Sequence, residues 1–188
     1  MYSDNTLTPR EAVRLCALGT LAGSSAAGEP MSYDDLVHAV RHFVSRVTGP
    51  SLELMGESIE LLRYEGLVEA EDDTGETNPA LTITTAGEEV LDALLRANIR
   101  AGSSDLNELV IALKFRFLHQ LPAAEQVNQI DLMFEVCESE LARFEDLRRY
   151  HEDDTGHLTG WLDLDISRLE SRLDWLTEFK SKLEPSGL

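Results

Sequence analysis

Apolar residues recur every three or four positions along most of the chain, the spacing that places them on one face of an α-helix. A first helix is predicted over about Pro9–Leu21, with Thr8 as its N-cap and a proline at its first position. Residues 22–32 are small and turn-prone, so a flexible connection is expected after this helix. Ser32 is expected to cap a second helix, which ends at the Thr-Gly-Pro turn signal of residues 48–50.

The centre of the chain changes to the pattern of a β-hairpin. A third helix is predicted over residues 51–64, and Gly66 stands where a helix end favours a left-handed residue. Residues 67–70 form a short predicted strand, residues 71–80 the hairpin tip, and residues 81–84 the returning strand. Three helices followed by a two-stranded hairpin and a fourth helix are the parts of a winged helix.

The second half of the chain is helical in character. Thr85 is expected to cap the fourth helix, which runs to about Ala101. Three further amphipathic helices are predicted: one that ends near Pro122, one over about residues 123–150, and a last one that follows a turn at residues 151–157. One amphipathic helix cannot cover its own apolar seam, so the seam is expected to pair partly within the chain and partly with a second copy. The residues assigned to dimerisation are Leu109, Leu113, Phe117, Leu162, Ile166, Leu169, Leu173 and Leu176.

This order of elements predicts a mainly α-helical fold with a small β-hairpin. A winged helix-turn-helix domain is expected at 1–102 and a C-terminal helical dimerisation domain at 103–188. No apolar stretch approaches the roughly 20 residues of a membrane helix, and no secretory pattern opens the chain, so a cytoplasmic protein without membrane contact is expected. Cys16 and Cys137 lie among apolar residues of helical spacing, which favours buried packing thiols over a redox switch.

Acidic residues outnumber basic residues by 35 to 16, which gives a formal charge of −19. In ordinary salt such a charge opposes binding to a polyanion. The acidic residues are dispersed and lysine is scarce, which is typical of proteins from a salt-rich cytoplasm, where charge repulsion is screened within about 3 Å. The alternative is an ordinary acidic protein from a GC-rich genome. The sequence alone therefore leaves open whether the acidity reflects the habitat of the organism or the binding partner of the protein.

Several short motifs carry a family resemblance. Residues 65–69 read Glu-Gly-Leu-Val-Glu, residues 81–87 read Leu-Thr-Ile-Thr-Thr-Ala-Gly, and residues 112–118 precede a Leu-Pro link and a long charged helix. In this order of parts the chain resembles the PadR (phenolic acid decarboxylase regulator) family of transcriptional regulators over about residues 8–183. The resemblance implies a homodimer whose third helix enters the major groove of double-stranded DNA while the wing touches phosphates.

Carried over residue by residue, the resemblance implies that the third helix presents Ser51, Glu53, Leu54, Glu57 and Ser58 to DNA. Apart from the resemblance, Arg41, His42 and Arg46 of the second helix could contact the backbone at the groove edges, and Thr74, Thr77 and Asn78 of the wing could reach phosphate. Arg10 and Arg14 of the first helix could also reach the DNA backbone.

The chain departs from the family in the charge of these elements. No arginine or lysine lies between Pro50 and Arg63 or between Glu65 and Leu81, although such residues usually supply the phosphate contacts. Glutamate can instead accept a hydrogen bond from the amino group of cytosine. Two functions remain open: a dimeric regulator, a repressor responsive to an effector or stress, and an acidic protein-interaction module that has lost ordinary DNA binding.

Other candidate chemistry is weaker. Trp161 and Trp175 resemble aromatic residues with which some relatives bind flat effectors, although packing in a core or interface is the preferred interpretation. The segment 151–157 holds two histidines and several carboxylates, and a charged turn is preferred over a metal site. No phosphate loop, nucleophile elbow or paired-cysteine motif is present, so neither an enzyme nor a cofactor is expected.

Overall fold

The computed structural model describes residues 5–48, 55–70, 78–100, 104–153 and 155–183, with backbone alone at residues 55–58. In these ranges the elements are α1 Pro9–Ala27, β1 Met31–Ser32, α2 Tyr33–Thr48, α3 Met55–Tyr64, β2 Val68–Ala70, β3 Ala80–Ile83, α4 Thr85–Leu95, α5 Asp105–Phe117, the 3-10 turn Leu118–Gln120, α6 Ala123–Tyr150 and α7 Leu158–Leu183. The elements form two compact units, of which the first holds α1 to α5 with the 3-10 turn and the second holds α6 and α7.

Helix α1 begins where the sequence predicts and ends later. The side chain of Thr8 accepts a hydrogen bond from the backbone N–H of Glu11, whose carboxylate accepts from the backbone N–H of Thr8, so the predicted cap is confirmed. The flexible connection expected from residue 22 is wrong, because the helix continues to Ala27. Alanine and serine tolerate a helix, and the stop comes from Gly28, whose φ of 71° is left-handed.

The predicted hairpin is confirmed and gains a third strand. Strand β3 is central and pairs antiparallel with β2, placing Val68 opposite Ile83, and with β1, placing Met31 opposite Leu81. The two-residue β1 was not predicted, because so short a strand has no alternation to detect. A helix, a short strand, two helices and a hairpin leading into α4 make a winged helix, so the predicted fold class is confirmed.

The start of helix α4 is hydrogen-bonded to the turn that ends α3 and packs closely against it. Its N-cap is Thr84 rather than Thr85, and it ends at Leu95 rather than near Ala101. The Thr84 hydroxyl accepts from the backbone N–H of Gly87 at 3.1 Å and donates to the backbone carbonyl of Gly66 at 2.8 Å. Gly87 lies so close to Leu67 that a Cβ there would clash with the carbonyl oxygen of Leu67.

Helix α1 forms the centre of the first unit and packs against α2, α3, α4, α5 and β3. Burial of this apolar surface supplies the main stabilisation of the unit. The thiol of Cys16 is buried here and free, as predicted. The most buried apolar residues of the first unit include Ala12, Val13, Leu15, Ala17, Leu18 and Leu21 of α1, with Leu36, Val40, Val44, Ile59, Leu62 and Leu95 around them.

Helix α5 packs within the first unit, although the sequence places the start of the second domain at residue 103. The Arg116 guanidinium lies over the rings of Phe43 and Phe117, at 4.5 and 4.9 Å from their centroids. Lys114 is fully buried, and its Nζ donates to the backbone carbonyl of Leu95 at 2.6 Å. This carbonyl belongs to the C-terminus of α4, where a helix favours a cation.

The second unit is an antiparallel pair of helices. The Lys180 ammonium contacts the Asp131 carboxylate at 2.6 Å, and the Arg148 guanidinium contacts Asp163 at 2.9 Å. Between these ion pairs, apolar residues of the two helices form a buried seam. The buried members are Ile130, Met133 and Cys137 of α6 and Leu162, Leu169 and Leu176 of α7.

Candidate nucleic-acid interface

The packing of α3 determines which of its faces is exposed. Ile59 and Leu62 are buried, so the helix is held by this side against the core. Glu60, Arg63 and Tyr64 are exposed, and Tyr64 has 90% of its surface accessible. The exposed face in the described part of α3 therefore offers one cation, one carboxylate and one aromatic ring to a partner.

The predicted contact residues of α2 lie on its outer face. Arg41, His42 and Arg46 are exposed, whereas the buried residues of the helix face the opposite way. The His42 ring is stacked with that of His38, with 6.4 Å between their centroids. Two guanidinium groups are thus available on this helix for phosphate contacts.

The two candidate arginines of α1 differ in their surroundings. Arg10 is exposed, whereas both terminal oxygens of Glu65 accept hydrogen bonds from the Arg14 Nη2 atom. Because Arg14 is already paired with the Glu65 carboxylate, it would have to give up this partner in order to contact a phosphate. Arg10 is therefore the better placed of the two.

Most of the residues implied for the third helix and wing lie outside the described part of the chain. Ser51, Glu53, Thr74 and Thr77 are not in the described ranges, and the same holds for the side chains of Glu57 and Ser58. Asn78 is described, and its amide nitrogen donates to the Asp34 carboxylate at 3.0 Å. This bond connects the base of the wing to the first turn of α2.

A cleft beside the exposed face of α3 was missed in the sequence. Tyr33, Glu60, Arg63 and Tyr64 line a cleft of about 500 Å³. Burial and the neighbouring carboxylate of Glu60 raise the pKa of Tyr33, and its hydroxyl can donate a hydrogen bond. The signal in the sequence that could have indicated this cleft is the pair Arg63 and Tyr64 at the end of the third helix, because Arg63 is the first basic residue after a stretch without cations.

The residues assigned to dimerisation are largely covered by the chain itself. Leu109, Leu113 and Phe117 are buried among the helices of the first unit. In the second unit Leu162, Leu169 and Leu176 are buried, while Ile166 and Leu173 are half-buried. A second copy of the chain would therefore contact mainly the exposed residues that flank these side chains.

Trp161 and Trp175 keep about half of their surface exposed, 52% and 47% respectively. The ring of Trp175 stacks on that of Phe179 with centroids 5.2 Å apart, and Trp161 lies 6.2 Å from the Phe144 ring. Both rings are therefore accessible to a partner as well as packed against a neighbour.

The turn between α6 and α7 lies at residues 151–157, as predicted. Within the described ranges, no group of three or more histidine, cysteine or carboxylate side chains is arranged to hold a metal ion. Among those same residues, no helix combines the length and apolar character needed to cross a membrane.

Comparison with known proteins gives one family match. The family model described as "Putative AphA-like transcriptional regulator" matches residues 2–180. No curated protein matches this chain significantly.

Several solved structures are similar to the chain, and the following three match it along most of its length. PadR of Bacillus subtilis is 14% identical, with 96% of this chain and 99% of that chain covered and a TM-score of 0.39. The same protein in complex with operator DNA is 14% identical, with 91% and 98% covered and a TM-score of 0.36. The protein smu.1604c of Streptococcus mutans UA159 is 15% identical, with 93% and 99% covered and a TM-score of 0.36.

Proposed function

The chain belongs to the AphA-like transcriptional regulator family, and on that premise we propose that it is a dimeric repressor that binds operator DNA through its winged helix. The family is one of regulators rather than enzymes. The proposed location is the cytoplasm, where a regulator of this family would meet the DNA that it binds.

The observation that carries the DNA-binding proposal is the setting of α3 between α2 and the hairpin. Burial of Ile59 and Leu62 turns the opposite face of α3 outward, next to the cleft that Tyr33 completes. In winged helices a helix so exposed reads the major groove while the hairpin lies against the backbone.

Phosphate contact is proposed for the exposed cations around α3. Arg41 and Arg46 lie on the outer face of α2, and Arg63 lies on α3 itself. Each phosphate that a cation neutralises releases counterions, so affinity should fall as salt rises. With few such cations on a protein of charge −19, we expect a shallow salt dependence, in keeping with a salt-rich habitat.

Genome-wide occupancy followed by mobility-shift titration of the enriched fragment at several salt concentrations tests the proposal. Replacing Arg41 and Arg46 by alanine should weaken binding and reduce the slope of log K against log salt by about one for each lost phosphate contact. Arg149→Ala is the matched control, because Arg149 is an exposed arginine of the second unit. Absence of any enriched fragment at every salt concentration would refute DNA binding.

Dimerisation is proposed through the second unit, which exposes apolar side chains that a second copy would cover. The exposed large apolar residues of that unit are Leu147, Tyr150, Trp161, Leu164 and Trp175. Obligate interfaces are enriched in such residues, and aromatic rings commonly supply much of the binding energy. The two tryptophans would then pack at the interface, where an effector could also reach them.

Light scattering during size-exclusion chromatography decides the oligomeric state, since one chain has a mass of 20.9 kDa. We expect twice that mass for the wild type, and a shift towards the single-chain mass for the Trp161→Ala, Leu164→Ala double variant. Retention of helical circular dichroism separates loss of association from loss of folding. A wild type that remains a monomer at high concentration would refute the dimer.

The acidic surface favours one alternative, an interaction module that has kept the winged helix and binds a basic protein. Glu60 on the exposed face of α3 is the described residue that supports it. Co-purification of a basic partner, together with no DNA binding at any salt concentration, would favour this function over the regulator.

A further inference from the structure

Two histidines stand together on the outer face of α2. His38 and His42 are four residues apart, a spacing that places both side chains on the same face of a helix. Both side chains are exposed, and their rings are stacked with 6.4 Å between the centroids and 28° between the ring planes. Neither ring makes a hydrogen bond within the described part of the chain, so the nitrogens of both imidazoles are available to a ligand.

An imidazole pair with this spacing is an arrangement that binds transition metals. Two histidines four residues apart on one helical face bind zinc in metalloproteases. Imidazole nitrogen suits Zn²⁺, Ni²⁺ and Cu²⁺, whereas Mg²⁺ and Ca²⁺ prefer oxygen ligands. Between the two histidines of α2 the sequence reads Ala39, Val40 and Arg41, without the glutamate that acts as a general base in those enzymes. The pair therefore fits metal binding and not hydrolysis.

Helix α2 holds the two rings close to the separation that one metal ion requires. With metal–nitrogen distances of about 2.1 Å and a tetrahedral angle, the centroids of two bound imidazoles lie about 5 Å apart. The rings of His38 and His42 would approach each other by roughly 1 Å, which exposed side chains achieve by small rotations about their torsions. The backbone needs no movement, because Leu36, Val40 and Val44 bury the other side of the helix.

The charges around the histidine pair are balanced. At about 100° per residue, Arg41 and Arg46 flank the pair on its two sides. Asp34 and Asp35 lie on the same side of the helix, one turn earlier, and each carboxylate accepts a hydrogen bond from a neighbouring side chain, at 3.0 and 2.6 Å respectively. These carboxylates already serve the fold and are not proposed as ligands. Their charge offsets the repulsion that the two arginines exert on a cation.

We propose that His38 and His42 together bind a divalent transition-metal ion of the Zn²⁺, Ni²⁺ or Cu²⁺ class, through one nitrogen of each imidazole. Structural zinc sites use four protein ligands, so two ligands leave positions open for water or an anion. Within the described ranges no third histidine, cysteine or carboxylate completes a set around the ion. The ion is therefore exchangeable and is not needed for folding.

A metal ion at this position carries positive charge into the proposed DNA interface. The open positions lie between Arg41 and Arg46, whose charges favour an anion there, and a phosphate oxygen of DNA is an anionic ligand of this kind. A chain of charge −19 gains a cation on a helix proposed to contact the DNA backbone. Resting on the proposed function, metal binding should therefore tighten DNA binding, and DNA should tighten metal binding to the same extent.

Calorimetric titration of the metal-free protein with Zn²⁺ tests the site without reference to DNA. An excess of Mg²⁺ in the buffer occupies sites made of carboxylates alone. We expect a saturable site with a Kd below about 100 µM, and at least about tenfold weaker binding in His38→Ala and in His42→Ala. His119→Ala is the matched control, because His119 is an exposed histidine of the same unit and has no histidine four residues away. Equal affinity in the wild type and in the double variant that lacks both α2 histidines would overturn the proposal.

Electron paramagnetic resonance with one equivalent of Cu²⁺ separates imidazole ligands from carboxylate ligands. We expect hyperfine coupling to two ring nitrogens in the wild type and in His119→Ala, and loss of this coupling in the double variant. Because both histidines of α2 are exposed, the double variant should keep its helical circular dichroism. A wild-type spectrum with oxygen ligands alone, or the same nitrogen coupling in the double variant, would refute the site.

The metal site and the proposed function fail separately. If Zn²⁺ binds and the double variant loses this binding, the site stands even where no DNA fragment is retained. Mobility-shift titration with and without Zn²⁺ tests the coupling, and we expect at least about fivefold tighter DNA binding with the metal in the wild type alone. A change below about twofold, or an equal change in the double variant, would refute the coupling and leave DNA binding itself in place.

Discussion

The buried Lys114 should make the stability of the first unit rise in alkaline solution. Burial lowers the pKa of this ammonium from its ordinary value of 10.5 to about 8. Below pH 8 the folded protein therefore holds a charged group that would be better solvated in the unfolded chain. Between the two pKa values the unfolded chain binds the proton that the folded state has released, so the free energy of unfolding increases with pH.

The size of the effect follows from the same two pKa values. Each tenfold change in the protonation equilibrium is worth about 1.4 kcal/mol, so the full gain between pH 8 and 10.5 is about 3 kcal/mol. Cys16 acts in the opposite direction, because burial raises the pKa of its thiol from 9.0 to about 11. Its contribution is present below pH 9 and is lost as the pH rises through 11.

Urea unfolding of wild type and Lys114→Met at pH 7.5 and at pH 10 isolates the lysine. The thiol titrates alike in both proteins, so it cancels when the free energies of unfolding are subtracted. We expect the wild type to gain about 2–3 kcal/mol relative to the variant between these pH values. A difference that does not change with pH would refute the burial of a titrating ammonium at this position.

Three further predictions, which use four variants, concern stability, and each is checked by chemical or thermal unfolding. Gly87→Ala should cost about 1–3 kcal/mol, because its Cβ would strike the Leu67 carbonyl and one partner must move. Gly23→Ala, the matched change in open space, should instead stabilise α1 by up to about 1 kcal/mol, and an equal loss in both variants would contradict the difference in packing. Thr84→Ala should cost about 1 kcal/mol, since it removes the cap of α4, and an unchanged midpoint would show that the cap is dispensable. Leu162→Ala should cost about 2–5 kcal/mol through the cavity left between α6 and α7, and a loss below about 1 kcal/mol would contradict the observed burial.

Much of the first unit could be predicted because its signals are local. The capping box at Thr8, the alternation of residues 81–84 and the left-handed Gly66 each act within a few residues. Short-range hydrogen bonds and backbone preferences decide such features, and they are written directly in neighbouring residues. The order of helices and strands, and hence the winged helix, follows from these signals.

The contacts of the candidate site that the sequence did not indicate join residues far apart in the chain. Arg14, a candidate for contact with the DNA backbone, is paired with Glu65, which stands 51 positions later in the chain. The cleft lined by Tyr33 and Arg63 forms only when the start of α2 lies beside the end of α3. Neither contact leaves a periodic signal in the sequence.

By itself, the sequence determined where α1 begins, which two segments pair as the strands of the hairpin and which residues are apolar enough for a core. Only the tertiary structure decided which apolar faces meet, that α5 belongs with α1 and α2, and that Lys114 is enclosed while Trp161 stays open. The physical reason is that helical spacing specifies a face but not its partner, because the hydrophobic effect is non-directional. The choice of partner comes from the shape of the assembled helices, which a list of neighbouring residues does not contain.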